Sequence, residues 1–109
     1  MKEPTEIVII ITTADEQEAQ AISKLLLEKR LIACANIVSK VSSMFWWQGV
    51  LESEDECMLI LKTKTSLLDE VVEMVKSAHS YDVPEVIALP IIGGNEDYLK
   101  WISGETDNS

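Results

Sequence analysis

The chain has 109 residues, 47% of them hydrophobic, and a formal net charge of -10 from 19 acidic against 9 basic side chains. That length suits a single domain over residues 1–109, and the apolar content excludes a disordered chain. The acidic balance repels phosphate backbones and anionic membranes, because affinity for both comes from Lys and Arg, so neither nucleic acid nor membrane is expected as a partner.

The segment Ile7-Val8-Ile9-Ile10-Ile11-Thr12 is β-branched throughout and predicts a buried strand. Thr13 and Glu16 stand at capping-box spacing ahead of a helical stripe of Ala19, Ile22, Leu25 and Leu26, with Lys29-Arg30 at its end. From Leu31 to about Trp47, and again from Val50 to Thr63, the pattern is strand-like, and Gln48-Gly49 between them makes a tight turn. Ser66 and Asp69 repeat the capping-box spacing before Leu68, Val71, Val72 and Val75. Tyr81-Asp82-Val83-Pro84 breaks this second helix, since a residue before proline is pushed out of the helical region. Val86 to Leu89 reads as a fourth strand, with Pro90 placing its end at a sheet edge. Gly93-Gly94 turns the chain, Asn95 can cap, and Tyr98 to Ile102 form a short last helix. Residues 1–5 and 103–109 are expected to fray.

The order strand, helix, strand, strand, helix, strand is α+β, a ferredoxin-like βαββαβ arrangement with a long central hairpin and a short C-terminal helix. Two helices cover only one face of such a sheet. A wet second face would demand alternation of apolar and polar residues. Ile7 to Ile11, Cys57 to Leu61 and Val86 to Leu89 are instead apolar at consecutive positions, so the second face needs a cover, and another copy of the chain is the simplest one. The N-terminus lacks a secretory apolar run, no apolar stretch is long enough to span a bilayer, and Cys34 and Cys57 show no CxxC spacing. These features point to the cytoplasm and to cysteines that act as small hydrophobes.

Five strings carry a family resemblance: Ala33-Cys34-Ala35-Asn36-Ile37, Trp47-Gln48-Gly49, Leu61-Lys62-Thr63-Lys64-Thr65, Tyr81-Asp82-Val83-Pro84-Glu85 and Asn95-Glu96-Asp97-Tyr98-Leu99-Lys100-Trp101. In order and separation, from about Ile7 to Ile102, they resemble the CutA family of divalent-cation tolerance proteins. The resemblance implies a homotrimer of ferredoxin-like subunits joined mainly through their sheets, and a role in tolerance of copper and other divalent metals. The chain departs from the family pattern at Ser39-Lys40, where a Pro-Gly pair is common, at Phe45 for Tyr, and at Ser80 for Pro. Ile11 stands where some metal-associated members carry Cys.

His79, the only histidine, is the candidate metal ligand, since the family's proposed site uses histidine there; copper or another divalent cation, weakly bound, is the expected cofactor. The competing reading is a cation placed at a helix C-terminus. Lys62 interrupts an apolar strand and needs a partner. With Glu85, Tyr81 and Trp47 it could form a polar pocket with aromatic walls, and in the family matching residues, Tyr98 included, line a cleft between subunits. The alternative is an ion pair across a subunit boundary. Trp46, Trp47 and Trp101 read as core or interface, and the acidic run Glu52 to Glu56 as a solvated stretch of hairpin. No nucleophile motif or phosphate-binding glycine loop is present, so no enzyme is expected. A metal-tolerance trimer leads, and a small-molecule sensing or signalling trimer with ligand clefts between subunits is the alternative.

Overall fold

The β-branched run forms β1 (Glu6–Thr13), and the computed structural model, which describes residues 5–107, places it second from one edge of a four-stranded sheet. Next come α1 (Glu16–Glu28), β2 (Cys34–Trp47), β3 (Val50–Lys64), a 3₁₀ turn over Thr65–Leu67, α2 (Leu68–Ala78), β4 (Val86–Pro90) and α3 (Glu96–Glu105). The strand order is β2-β3-β1-β4 with every neighbour antiparallel, which is the ferredoxin-like arrangement. Among the described residues, no helix is long and apolar enough to cross a membrane.

Burial alternates along β1. Ile7, Ile9 and Ile11 pack with Leu59 and Leu61 of β3 against Ala19, Ile22 and Leu26 of α1 and Val71 and Val75 of α2. Each large side chain so enclosed contributes roughly 1.5–3 kcal/mol. The other side chains of the strands form the opposite face, in rows fixed by register. Cys34, Lys62, Val8 and Leu89 make one row, and Asn36, Ile60, Ile10 and Ile87 the next. Nothing among the described residues covers most of this face, and Ile87 and Leu89 remain about half exposed, at 49% and 47%.

β2 and β3 run on past the sheet. β1 pairs with β3 only between Cys57 and Lys64, while β2 stays paired with β3 as far as Trp47↔Val50. The overhang of seven residues per arm reaches about 23 Å beyond the last row shared with β1. Gln48 and Gly49 close it with φ of 51° and 82°, the positive pair that a two-residue hairpin turn of primed type requires. A bulge marks the base of the arm. Val38 faces Met58 and Val41 faces Glu56, so Ser39 and Lys40 share one place opposite Cys57, and Lys40 takes a φ of 61°.

The helix boundaries differ from the sequence reading. Thr13 is not the cap of α1: it continues β1, fully buried, and its hydroxyl donates to the carbonyl of Asp15. Asp15 caps instead, accepting from the Glu18 N–H at 2.8 Å, while Glu18 accepts from the Ala14 N–H at 3.0 Å. Ser66 and Asp69 make no capping box, because the 3₁₀ turn feeds directly into α2 and the cap position falls to the buried Leu67. The last helix is longer than Tyr98 to Ile102, and Ser103 to Asp107 are not frayed. Thr106 is buried and donates to the carbonyls of Ile102 and Ser103, Asp107 N–H donates to the Arg30 carbonyl, and Arg30 pairs with Glu105 at 2.7 Å. Thr5 is held too, its carbonyl accepting from the Thr65 N–H at 2.8 Å, and the rest of the expected fraying, at residues 1–4 and 108–109, lies outside the described residues.

Lys40 occupies the left-handed region in which a Cβ clashes with the following carbonyl, and its side chain is exposed. Lys40→Gly is expected to raise stability by about 0.5–1 kcal/mol, the strain relieved exceeding the added chain entropy. The midpoint of urea unfolding checks this, and an unchanged or lower midpoint would show that the bulge carries no strain.

Candidate functional site

α2 ends at Ala78, and the next residues cross the end of β1 on their way to β4. His79 fixes the crossing. Its side chain is fully buried, its Nδ1 accepts from the Tyr81 N–H at 3.0 Å, and its Nε2 lies 2.8 Å from the Thr12 carbonyl. An acceptor at Nδ1 leaves the ring proton on Nε2, which donates to Thr12. Both nitrogens are committed, so the ring presents no lone pair to a metal in this conformation. That removes the basis for reading His79 as a copper ligand, and no group of three or more His, Cys, Asp or Glu residues suited to a metal ion occurs among the described residues. Glu18 supports the crossing from α1, accepting from the Ser80 N–H at 2.9 Å. Burial alone would raise its pKa, but the hydrogen bonds from Ala14 and Ser80 and the nearby imidazole hold the carboxyl below the ordinary glutamate range.

Beyond His79, the chain faces the overhanging hairpin across a groove of about 950 Å³. Phe45, Trp47 and Tyr81 supply aromatic surface, and Glu52, Glu54, Glu56, Asp82 and Glu85 supply carboxylates, with no Lys or Arg in the lining. Of the residues singled out from sequence, Trp47, Tyr81 and Glu85 thus come together. The acidic run is not wholly solvated, as the sequence suggested. Glu56 is only 7% exposed, because the segment after α2 folds over it and the Tyr81 hydroxyl donates to its Oε2 at 2.8 Å. Burial, followed by that bond to Glu56, pushes the Tyr81 phenol well above its ordinary pKa.

Lys62 and Tyr98 lie elsewhere. The Lys62 ammonium donates to Asn36 Oδ1 on the neighbouring strand, and the Cys34 thiol approaches the same oxygen at 3.9 Å. Tyr98 stacks on Trp101 at 5.5 Å; burial, then the nearby Cys34, raise its pKa. Lys62 faces Val8, whereas Glu85 precedes Val86, which faces Ile11. The two are therefore four positions apart along the strands, about 13 Å, with β1 between them as well, and they do not pair. Sequence reasoning missed Glu56, Glu18 and Asn36. The alternation Glu52-x-Glu54-x-Glu56 was the available signal, since residues two apart on a strand share a face.

Comparison with known proteins adds the family. The family model described as "CutA1 divalent ion tolerance protein" matches residues 7–105. Among curated relatives, "Divalent-cation tolerance protein CutA" of Thermus thermophilus is 44% identical over 93% of this chain and 98% of its own. "Protein CutA 1, chloroplastic" of Oryza sativa is also 44% identical over 94% of this chain, which spans only 58% of that relative's length. The crystal structure of CutA1 from Oryza sativa superposes with a TM-score of 0.93 at 42% identity, covering 98% of each chain.

His79→Ala removes two hydrogen bonds and leaves the Thr12 carbonyl and the Tyr81 N–H unpaired, so it should cost about 2–4 kcal/mol. Glu18, titrating below its unfolded value, gives stability that is present above the ordinary glutamate range and lost as pH falls through the lowered folded value. Glu18→Gln is accordingly expected to lower stability at neutral pH and to flatten the acid limb of a stability–pH curve. An acid limb as steep as that of the unmodified chain would refute this account of Glu18.

Proposed function

We propose, on the premise that this chain belongs to the CutA1 family of divalent ion tolerance proteins, that it works as a homotrimer which binds copper or other divalent cations weakly and does not act as an enzyme. The observation that carries the assembly is the second face of the sheet. Val8, Ile10, Ile60, Ile87 and Leu89 form a continuous apolar surface, and a patch of that kind on a lone subunit would be a sticking hazard. The count of three follows from the family resemblance. Lys62, bonded to the uncharged Asn36, keeps its charge free for a carboxylate of a neighbour, and Glu85 is the candidate. Two free thiols suit a reducing compartment, and we place the protein in the cytoplasm, although the rice relative bears the name chloroplastic.

The metal reading rests on carboxylates rather than on imidazole. A surface with net charge -10 concentrates divalent cations, and hard oxygen ligands without a preformed cage hold them loosely. A second reading, the sensing of a small molecule in clefts bounded by subunits, is favoured by one observation, the groove that unites Trp47, Tyr81 and Glu85.

Two measurements test these readings. Light scattering across a dilution series is expected to show a trimer throughout; a folded monomer at nanomolar concentration would overturn the covered face, and a stable dimer the count of three. Calorimetric titration with Cu²⁺ is expected to give weak binding, equal in the parent chain and in His79→Ala. A tenfold loss on that substitution would return His79 to the ligand set.

A further inference from the structure

The start of the crossing is held at a single nitrogen that has two partners within reach. His79 Nδ1 accepts from the Tyr81 N–H at 3.0 Å, and the same nitrogen lies 3.9 Å from Glu18 Oε1. In the neutral ring only the first of these is a hydrogen bond. A proton taken up at Nδ1 reverses the choice, because an N–H cannot accept from another N–H but donates well to a carboxylate. Nε2 keeps its proton and its bond to the Thr12 carbonyl at 2.8 Å in either form. The ring therefore stays anchored to β1 while its Nδ1 edge changes partner.

The charges around the ring suit that exchange. Its side chain is fully buried, so it takes a charge only where an anion stands beside it. Glu18 of α1 is that anion. Against the upward push of burial, hydrogen bonds from Ala14 and Ser80 hold its carboxyl below the ordinary glutamate range. It is thus ionised throughout the interval, about pH 5 to 8, in which imidazoles gain their second proton. On the ring's own segment, Tyr81 lies 4.7 Å away between ring centroids, and its phenol donates to Glu56 of β3 behind it. β1 presents the uncharged Thr12 carbonyl, and Lys76 in the last turn of α2 is exposed.

We propose that His79 is a pH-sensitive clasp, which on protonation turns from the Tyr81 N–H to the Glu18 carboxylate and frees the crossing at Tyr81. The wall that Ser80 to Glu85 give the groove is then fastened at neutral pH and loosened in acid. The device needs neither a bound metal nor a given number of subunits, so it stands apart from both readings of function.

Nuclear magnetic resonance of the full chain tests it, following the ring nitrogens of His79 and the exchange of the Tyr81 amide between about pH 8 and about pH 5. After correction for intrinsic exchange, Tyr81 is expected to lose at least tenfold in protection, with the midpoint of the imidazole titration. The Asp97 amide, bonded to the side chain of Asn95, has an acceptor that does not titrate and should keep its protection. His79→Asn puts a carbonyl oxygen near the place of Nδ1, where an Asx-type bond can hold the N–H two residues on without a proton to gain. In that variant the protection of Tyr81 should no longer depend on pH. Glu18→Gln removes the waiting anion and is expected to move the midpoint down by at least about half a pH unit, which carries the test if His79→Asn does not fold. A ring that stays neutral to pH 5, or a Tyr81 amide that stays protected while the ring titrates, overturns the clasp. Equal losses at Tyr81 and Asp97 overturn it as well, since they mark a general loosening in acid.

Discussion

Everything in this fold answers to β1 being apolar on both sides. Its odd-numbered isoleucines need the two helices, and Val8 and Ile10 on the other side need a cover that the described residues do not supply. A four-stranded antiparallel sheet with helices on one face has that deficit built into it, and most such sheets meet it with polar side chains. Here Val8, Ile10 and Ile60 refuse that solution, and the resulting apolar face becomes the fold's principal surface. The long hairpin belongs to the same economy, because strands that outrun their own sheet expose further apolar side chains at their tips.

The crossing from α2 to β4 is the second organising element. His79 ties it to the end of β1, Glu18 ties it to the start of α1, and Tyr81 ties it to β3. Three elements distant in sequence thereby position one short segment. A ring with two hydrogen bonds and no exposed surface serves that task well, and the same features make it a poor metal ligand.

The fold was legible because its signals are local and periodic: β-branched runs, helical stripes at 3.6-residue spacing, and Gln48-Gly49 at the turn. The caps were less so. Thr13 has the right chemistry for a cap but is consumed by the strand, and the burial of Leu67 decides the start of α2. The site was legible in part. Trp47, Tyr81 and Glu85 do meet, but Lys62 and Tyr98 do not join them, since strand register is a long-range property that residue identity does not reveal. The bulge at Ser39-Lys40 adds a further obstacle. It shifts the phase of β2, so that Cys34, Asn36 and Val38 share a face with Val41, Ser43, Phe45 and Trp47 rather than with Met44 and Trp46. Counting alternate residues from the start of the strand gives the wrong aromatic wall.

Beyond the bulge, the hairpin is a ribbon with two unlike sides. Phe45 faces Glu52 and Ser43 faces Glu54 on one, while Trp46 faces Leu51 and Met44 faces Ser53 on the other. Because successive residues on a strand point in opposite directions, the two sides are encoded by interleaved, independent sets of positions. Substitutions can therefore retune the acidic side through every second residue while the apolar side keeps its chemistry unchanged. Selection can act on one side of the ribbon without disturbing the other.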